Sequence, residues 1–185
     1  MSDFGPKEIL SRIRVRTGSL AAAAVVLLAT PNWASILIGV SISVLGLAIR
    51  TWASGHLRKE KRLTVSGPYR YSRNPLYLGN FILGAGIAAG SRSWWIVWLF
   101  IVYFAVFYPL IIVQERKRMK ELFPIQYEEY RKKVPLFFPS PLRCNHASRE
   151  KFSWALYKQN KEYRALIATV ALWLTLAGKV LLLNR

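Results

Sequence analysis

The sequence has little that supports disulfide, thiol or metal chemistry. Its 185 residues include one cysteine and two histidines. A single cysteine excludes an internal disulfide, and two histidines cannot form a metal site by themselves. We therefore expect no metal centre and assign no catalytic role to Cys144.

Acidic residues are also scarce. Nine Asp and Glu stand against 27 Lys and Arg, for a formal net charge of +18, while 53% of the residues are hydrophobic. A soluble domain of this size is rarely so apolar and so basic at once. The charges lie in blocks between apolar runs, which is typical of membrane proteins. Because they flank these runs instead of forming a separate domain, we do not expect nucleic-acid binding.

Five apolar stretches predict an all-α, polytopic membrane protein with about five transmembrane helices, in a single domain of residues 1–185. They run over residues 15–30, 33–53, 76–90, 94–113 and 163–183. The first and third are short for a bilayer. A signal peptide is the alternative interpretation of the first, but a second apolar run follows at once and favours an uncleaved helix.

Lysine and arginine predict which loops face the cytosol. They are dense before residue 17, between Arg50 and Arg73, and between Arg116 and Arg164, and only Arg92, Lys179 and Arg185 lie on the other side. The positive-inside rule then makes the N-terminus and both long loops cytosolic and puts the C-terminus on the opposite side. The protein's partners would be the lipid bilayer and the anionic headgroups that a basic face attracts.

Three polar segments follow from this topology. Residues 54–75 form a loop rich in Gly, Pro, Arg and Tyr. Residues 114–133 are predicted to extend the fourth span as a helix that stops before Pro135. Residues 146–164 fit an amphipathic helix in the interface, which with the last span makes a C-terminal unit of about 146–183.

Glu115 and the loop 66–79 are the first candidates for chemistry. An ionisable group at the end of a span suggests function, but Glu115 could equally be an interfacial carboxylate neutralised by the basic residues that follow it. The loop's tyrosines and arginines, held by turn signals, could recognise a flat charged molecule or merely reach into the interface. Gly84 and Gly86 are more typical of close helix packing than of a ligand site.

Three blocks resemble the isoprenylcysteine carboxyl methyltransferases and the related phospholipid methyltransferases. Residues 67–79, GPYRYSRNPLYLG, resemble the family's Gly-x-Tyr…Arg-His-Pro-x-Tyr-x-Gly. Glu115 followed by Phe123, Tyr127 and Tyr130 resembles its glutamate helix, and residues 134–139, VPLFFP, resemble its Val-Pro…Pro ending. The core motifs cover about residues 55–140.

The resemblance implies S-adenosylmethionine as cofactor, bound in a cytosolic pocket of loops and a helix extension, and a lipophilic acceptor that enters from the membrane. Glu115 falls on the family's essential glutamate and is our catalytic candidate. The positions matching the cofactor site are Lys61, Arg62, Leu63, Thr64, Tyr69, Asn74, Pro75, Leu76, Tyr77 and Glu115. The chemistry agrees, because aromatic faces favour cationic centres and a carboxylate can pair with an ammonium group or act on an acceptor proton.

Two departures from the family pattern concern the acceptor. Asn74 replaces the histidine of Arg-His-Pro, so a proton role for that histidine is absent. The arginine that handles the substrate carboxylate in the prenylcysteine enzymes is missing, since Leu110 and Ile111 occupy that region. Two alternatives are open: Arg50, Arg70 or Arg73 substitutes for that arginine, or the acceptor is not a carboxylate.

The predicted function is therefore methyl transfer from S-adenosylmethionine to an isoprenylcysteine-like carboxylate or an aminophospholipid-like group. An NADPH-dependent membrane reductase of the sterol reductase type is one alternative. A scaffold that kept the fold and lost the chemistry is the other.

Overall fold

The computed structural model describes residues 6–59, 61–140 and 150–183, and side chains from residue 17 to residue 182 of these. Within these ranges the chain forms seven α-helices, one 3₁₀ turn and no strand. The helices are α1 (Pro6–Leu28), α2 (Trp33–Ser54), α3 (Pro75–Ser91), α4 (Trp94–Leu122), α5 (Pro124–Lys133), α6 (Trp154–Gln159) and α7 (Tyr163–Leu183), and the 3₁₀ turn is Gly67–Arg70. The all-α prediction is confirmed.

Among the described helices, α2, α4 and α7 are long and apolar enough to cross a membrane. The other two predicted spans are shorter: the apolar part of α1 is Thr17–Leu28, and α3 has 17 residues. At 1.5 Å per residue, α3 is about 25 Å long, against a hydrocarbon core of about 30 Å. Trp94 and Trp95 at the start of α4 are 80% and 75% exposed, as expected for aromatic anchors at a membrane interface.

Glycines let α2 and α3 approach each other closely along their length. A Cβ on Gly46 would lie 2.6 Å from the backbone N of Leu83, and one on Gly86 would lie 2.7 Å from the carbonyl oxygen of Gly39. Backbone atoms leave no room for a side chain at these positions. This confirms helix packing as the role of Gly86, in agreement with the use of small residues at membrane helix interfaces.

One end of the bundle is closed, and we call it the packed end (residues 25–36, 86–97 and 172–180). The Thr30 N–H donates to the Ser91 carbonyl at 2.9 Å, and the Ser35 hydroxyl donates to the Gly90 carbonyl at 3.0 Å. The Lys179 ammonium donates to the carbonyls of Val26 and Leu27, at 2.9 and 3.0 Å. These carbonyls end α1, where a cation is favoured. Their neighbours form the main apolar core, with Val25, Ala29, Ile36, Ala88, Ile96, Trp173, Leu176 and Val180 buried.

The opposite end, which we call the open end, carries the polar loops (residues 50–80, 108–140 and 150–168). Two predictions fail here. The helix expected over 114–133 breaks, because Pro124 disfavours the α conformation at Phe123, whose φ and ψ are −138° and 59°. The interfacial helix expected over 146–164 is shorter than predicted, since only α6 forms there. Ser153 caps the start of α6, and a turn at Lys161 (φ 57°) follows its end. Residues 146–149 and Cys144 lie outside the described residues.

Candidate active site

The loop after α2 is anchored on the end of that helix. Gly67 has φ +57°, and a Cβ there would lie 2.7 Å from Cγ of His56. The His56 ring is buried, and its Nδ1 lies 2.9 Å from the Trp52 carbonyl oxygen. Position 67 therefore requires glycine for two reasons, the positive φ and the close approach of the His56 ring to the backbone. The 3₁₀ turn begins at this residue.

Backbone and side-chain hydrogen bonds join the first and third sequence blocks. The Ser72 hydroxyl donates to the Phe137 carbonyl at 2.7 Å, and the Asn74 side-chain amide donates to the Leu136 carbonyl at 2.8 Å. The Arg73 N–H donates to the Pro135 carbonyl at 3.0 Å. Asn74, which stands where the family has histidine, thus holds the two blocks together.

The second block packs on the same loop. The Tyr130 hydroxyl donates to the Tyr69 carbonyl at 2.7 Å. Tyr127, Tyr130 and Val134 form a buried cluster against Leu63, Val65, Met119 and Phe123. The first block is distant along the chain from the other two, and all three therefore meet at the open end.

They surround a cavity of about 970 Å³. Nine of the ten residues predicted to hold a cofactor line it: Arg62, Leu63, Thr64, Tyr69, Asn74, Pro75, Leu76, Tyr77 and Glu115. Lys61 is exposed and does not line it. The sequence therefore predicted a set of residues that the fold brings together, with Lys61 as the exception.

Glu115 lies in the last part of α4, and its exposed side chain lines the same cavity as the buried phenol of Tyr69. Burial raises the pKa of Tyr69 well above its usual value, and the neighbouring Tyr130 and then Glu115 raise it further. Tyr69 consequently keeps its hydroxyl proton, because an anion there would be both desolvated and repelled. The cavity thus combines a carboxylate with a hydrogen-bond donor that does not ionise near neutral pH.

Aromatic and cationic groups complete this side of the cavity. The Tyr77 ring meets Tyr108 edge to face, with centroids 5.7 Å apart. Arg73 places Nη1 3.4 Å from the Tyr127 hydroxyl, and within the described part of the chain its buried Nε has no hydrogen-bond partner. Such a surface offers π-faces to a cation and guanidinium donors to a carboxylate.

Sequence reasoning missed several residues that line the cavity. Asn80, Tyr108, Asn160 and Glu162 line it but were not selected, and Arg50 was considered only as a substitute. A signal existed for two of them. Asn80 is a polar residue within a predicted span, and Glu162 is an acid at the start of another; such positions suggest function.

Comparison with known proteins covers the same part of the chain. The model of the phospholipid methyltransferase family matches residues 19–126. The cobalt-zinc-cadmium resistance protein CzcN of Cupriavidus metallidurans is 33% identical over 105 residues, and the nickel-cobalt-cadmium resistance protein NccN of Alcaligenes xylosoxydans xylosoxydans is 31% identical over 105 residues. Each match covers 56% of this chain and 47% of the relative.

The chain therefore spans about half the length of these curated relatives. No solved structure matches it. The family match includes α2, α3 and α4, Glu115 and most of the cavity-lining residues. It covers more than half of the chain and agrees with the resemblance found in the sequence blocks. This protein belongs to the phospholipid methyltransferase family.

Proposed function

We propose that the protein transfers a methyl group from S-adenosylmethionine to a lipophilic acceptor at the cytosolic face of a membrane. The observation that carries this proposal is the convergence of the three sequence blocks on one cavity with Glu115 in its wall. Family membership supports methyl transfer. The apolar helices support a membrane setting, and the distribution of basic residues supports the cytosolic side.

The residues present fit the group that the reaction needs. S-adenosylmethionine would supply a methyl carbon bonded to a positively charged sulfur. A lone pair of the acceptor would form a bond to that carbon while the carbon–sulfur bond breaks and leaves its electron pair on sulfur. Tyr69 and Tyr77 would face the cationic part, and Arg73, whose side chain lines the cavity, would offer its guanidinium to the carboxylate.

Glu115 has two possible tasks in this arrangement. Its carboxylate can pair with the ammonium group of the cofactor, or it can orient the acceptor and take its proton when the attacking atom is an amine or hydroxyl. In both, the carboxylate acts by charge and position. Positioning supplies much of the rate in such a displacement.

A ligand titration of the purified protein in neutral detergent tests the proposal. S-adenosylhomocysteine should bind and raise the thermal unfolding midpoint, since a ligand that binds the folded state stabilises it. NADPH should leave the midpoint unchanged. Stabilisation by NADPH alone would favour the reductase, and the absence of both effects would favour a scaffold without cofactor chemistry.

The relatives' names give the proposal a physiological setting. Both are named for resistance to metal ions, and we extend this to the chain only as a proposal that its methyl transfer supports growth under metal stress. In the described residues there is no group of three or more His, Cys, Asp or Glu that could hold a metal. Growth of a deletion strain in cobalt or cadmium, complemented with the wild type or with Glu115→Gln, tests the link. Equal rescue by both forms would contradict it.

A further inference from the structure

The cavity is also lined by residues that lie outside the sequence blocks. Small residues of α1 and α7 are among them, namely Gly18, Ser19, Ala22 and Ala168. Two charged residues, Arg50 of α2 and Glu162 just before α7, line the same cavity. Both side chains are largely buried, with 15% and 8% of their surface exposed. Charge at such a depth is costly unless it is paired, so the pair needs an explanation.

Arg50 is held in one orientation by two partners. Its Nε donates to the Glu162 carboxylate at 2.5 Å, and its Nη1 donates to the Asn80 side-chain oxygen. Gly79 makes room for it, because a Cβ there would lie 2.6 Å from Cγ of Arg50. A guanidinium carries five N–H donors in a fixed plane. These two contacts engage two of the donor nitrogens of Arg50, a residue that lines the cavity.

Glu162 is itself fixed by the segment that carries it. The Asn160 side-chain amide donates to the carbonyls of Ser54 and Leu57 at 2.9 and 3.0 Å. The Ser153 N–H donates to the Gly55 carbonyl at 3.0 Å. Residues 153–162 are therefore bound to the end of α2, the helix that carries Arg50. This segment lies beyond the part of the chain matched by the family model, which ends at residue 126.

The cavity wall is strongly basic. Its cations are Arg50, Arg58, Lys59, Arg62, Arg73, Arg116 and Arg118, whereas its acids are Glu115 and Glu162. A surplus of positive charge in a partly enclosed site favours an anionic ligand. Planar guanidinium donors suit a carboxylate or a phosphate in particular.

We infer that Arg50 receives the anionic head of the lipophilic acceptor, and that Glu162 is a positioning residue which holds the guanidinium in place. The acyl or prenyl chain would lie beside the small residues of α1 and α7. This inference rests on the proposed function, since it names the head-group chemistry of the acceptor. It gives the segment 153–162 an indirect part in binding, through Glu162, where the sequence predicted only an interfacial helix.

Single-chain probes of known charge test the inference without a methyl-transfer assay. The full-length protein in dodecyl maltoside is titrated with dodecanoate, dodecyl phosphate and dodecanol, each with and without saturating S-adenosylhomocysteine. The wild type should bind at least one anionic probe about tenfold or more tightly than dodecanol, as expected for a hydrogen bond to a charged group. A preference between dodecanoate and dodecyl phosphate distinguishes a carboxylate from a phosphate acceptor.

The two variants should change anion affinity in opposite directions. Arg50→Gln should reduce the preference for the anionic probe to less than about threefold, because the cation is lost. Glu162→Gln should raise anion affinity about two- to fivefold, because the carboxylate that competes for Arg50 is removed while the amide oxygen can still accept a hydrogen bond. A residue with a purely structural role would not raise affinity.

Controls keep the test decisive. Arg92→Gln removes an exposed cation at the packed end and should leave the probe preference unchanged. The double variant Arg50→Gln/Glu162→Gln has no unpaired buried charge, so it should fold even if Arg50→Gln does not, and it should lack the preference. A preference retained in the double variant or in folded Arg50→Gln would overturn the inference, and an anion affinity that Glu162→Gln leaves unchanged would remove Glu162 from it. If the protein prefers the anionic probes to dodecanol but does not bind S-adenosylhomocysteine, the head-group site is supported and only the proposed methyl transfer is contradicted.

Discussion

The two ends of the helix bundle differ in how closely their helices pack. At the packed end, glycines bring backbone against backbone, and Ser35 and Lys179 donate hydrogen bonds to helix carbonyls. At the open end the loops, α5 and the C-terminal segment surround a cavity of about 970 Å³. The difference shows that the cavity lies where close helix packing ends and where hydrogen bonds between polar loops stabilise the fold instead.

The largest effect is expected at the open end, from Glu115→Gln. The amide keeps the size of the side chain but loses its charge and its basicity, so methyl transfer should fall by about 10²–10⁴-fold. The measurement is transfer of a labelled methyl group into a total lipid extract by the purified protein. Glu121→Gln is the matched control, since Glu121 lies on the same helix, is exposed and does not line the cavity. Unchanged turnover in Glu115→Gln would remove Glu115 from the mechanism.

The next largest effect is expected from Gly86→Ala, which adds one methyl group to the α2–α3 interface. Its Cβ would lie 2.6 Å from the Ser43 hydroxyl oxygen and 2.7 Å from the Gly39 carbonyl oxygen. The helices must separate, and overpacking of this kind costs about 1–3 kcal/mol. The midpoint of unfolding in a denaturing-detergent titration measures it.

Gly178→Ala is the control for that experiment. Gly178 lies in α7, and a Cβ there would have nothing within 4 Å. Alanine should therefore be neutral or stabilise the helix by about 0.5–1 kcal/mol. Equal destabilisation by the two substitutions would mean that close approach is not what makes Gly86 necessary.

The sequence predicted the apolar helices and most of the motif residues that line the cavity, for physical reasons. Long apolar runs leave little choice but a helix in a membrane, and α2 and α7 begin where the sequence predicted. Gly67, Asn74 and Glu115 belong to the sequence blocks that the fold brings together at the cavity. Local pattern and family resemblance were sufficient there.

The contact between Arg50 and Glu162 in the cavity could not be predicted in the same way. Arg50 and Glu162 are 112 positions apart, and nothing local indicates that the turn after α6 returns to the end of α2. The break at Phe123 was missed because the basic helix pattern continues on both sides of it, although Pro124 was a signal. Contacts between distant segments, and not secondary structure, account for most of what the sequence left open.

A smaller effect is expected from Tyr77→Ala within the open end. Loss of the ring removes one aromatic face from the cavity and the edge-to-face contact with Tyr108. The affinity for S-adenosylhomocysteine should fall about three- to tenfold. Gly84→Ala is the comparison, because its Cβ would meet the ring of Phe100, a side chain that can move. A larger loss in Gly84→Ala would place the cofactor elsewhere.

The smallest effect is expected from Glu150→Gln, although Glu150, like Glu162, joins the C-terminal segment to arginines near the end of α2. Glu150 lies 3.2 Å from Nε of Arg58 and also pairs with Arg62. These arginine side chains are 40% and 47% exposed, against 15% for Arg50. Water and salt screen such pairs, so the substitution should cost less than about 1 kcal/mol of stability, and less still in high salt. Glu162→Gln, at the buried pair, should destabilise the protein more than Glu150→Gln does. Equal destabilisation by the two substitutions would mean that burial does not distinguish the two ion pairs. The Glu150 pair could then not be described as structural and the Glu162 pair as positioning.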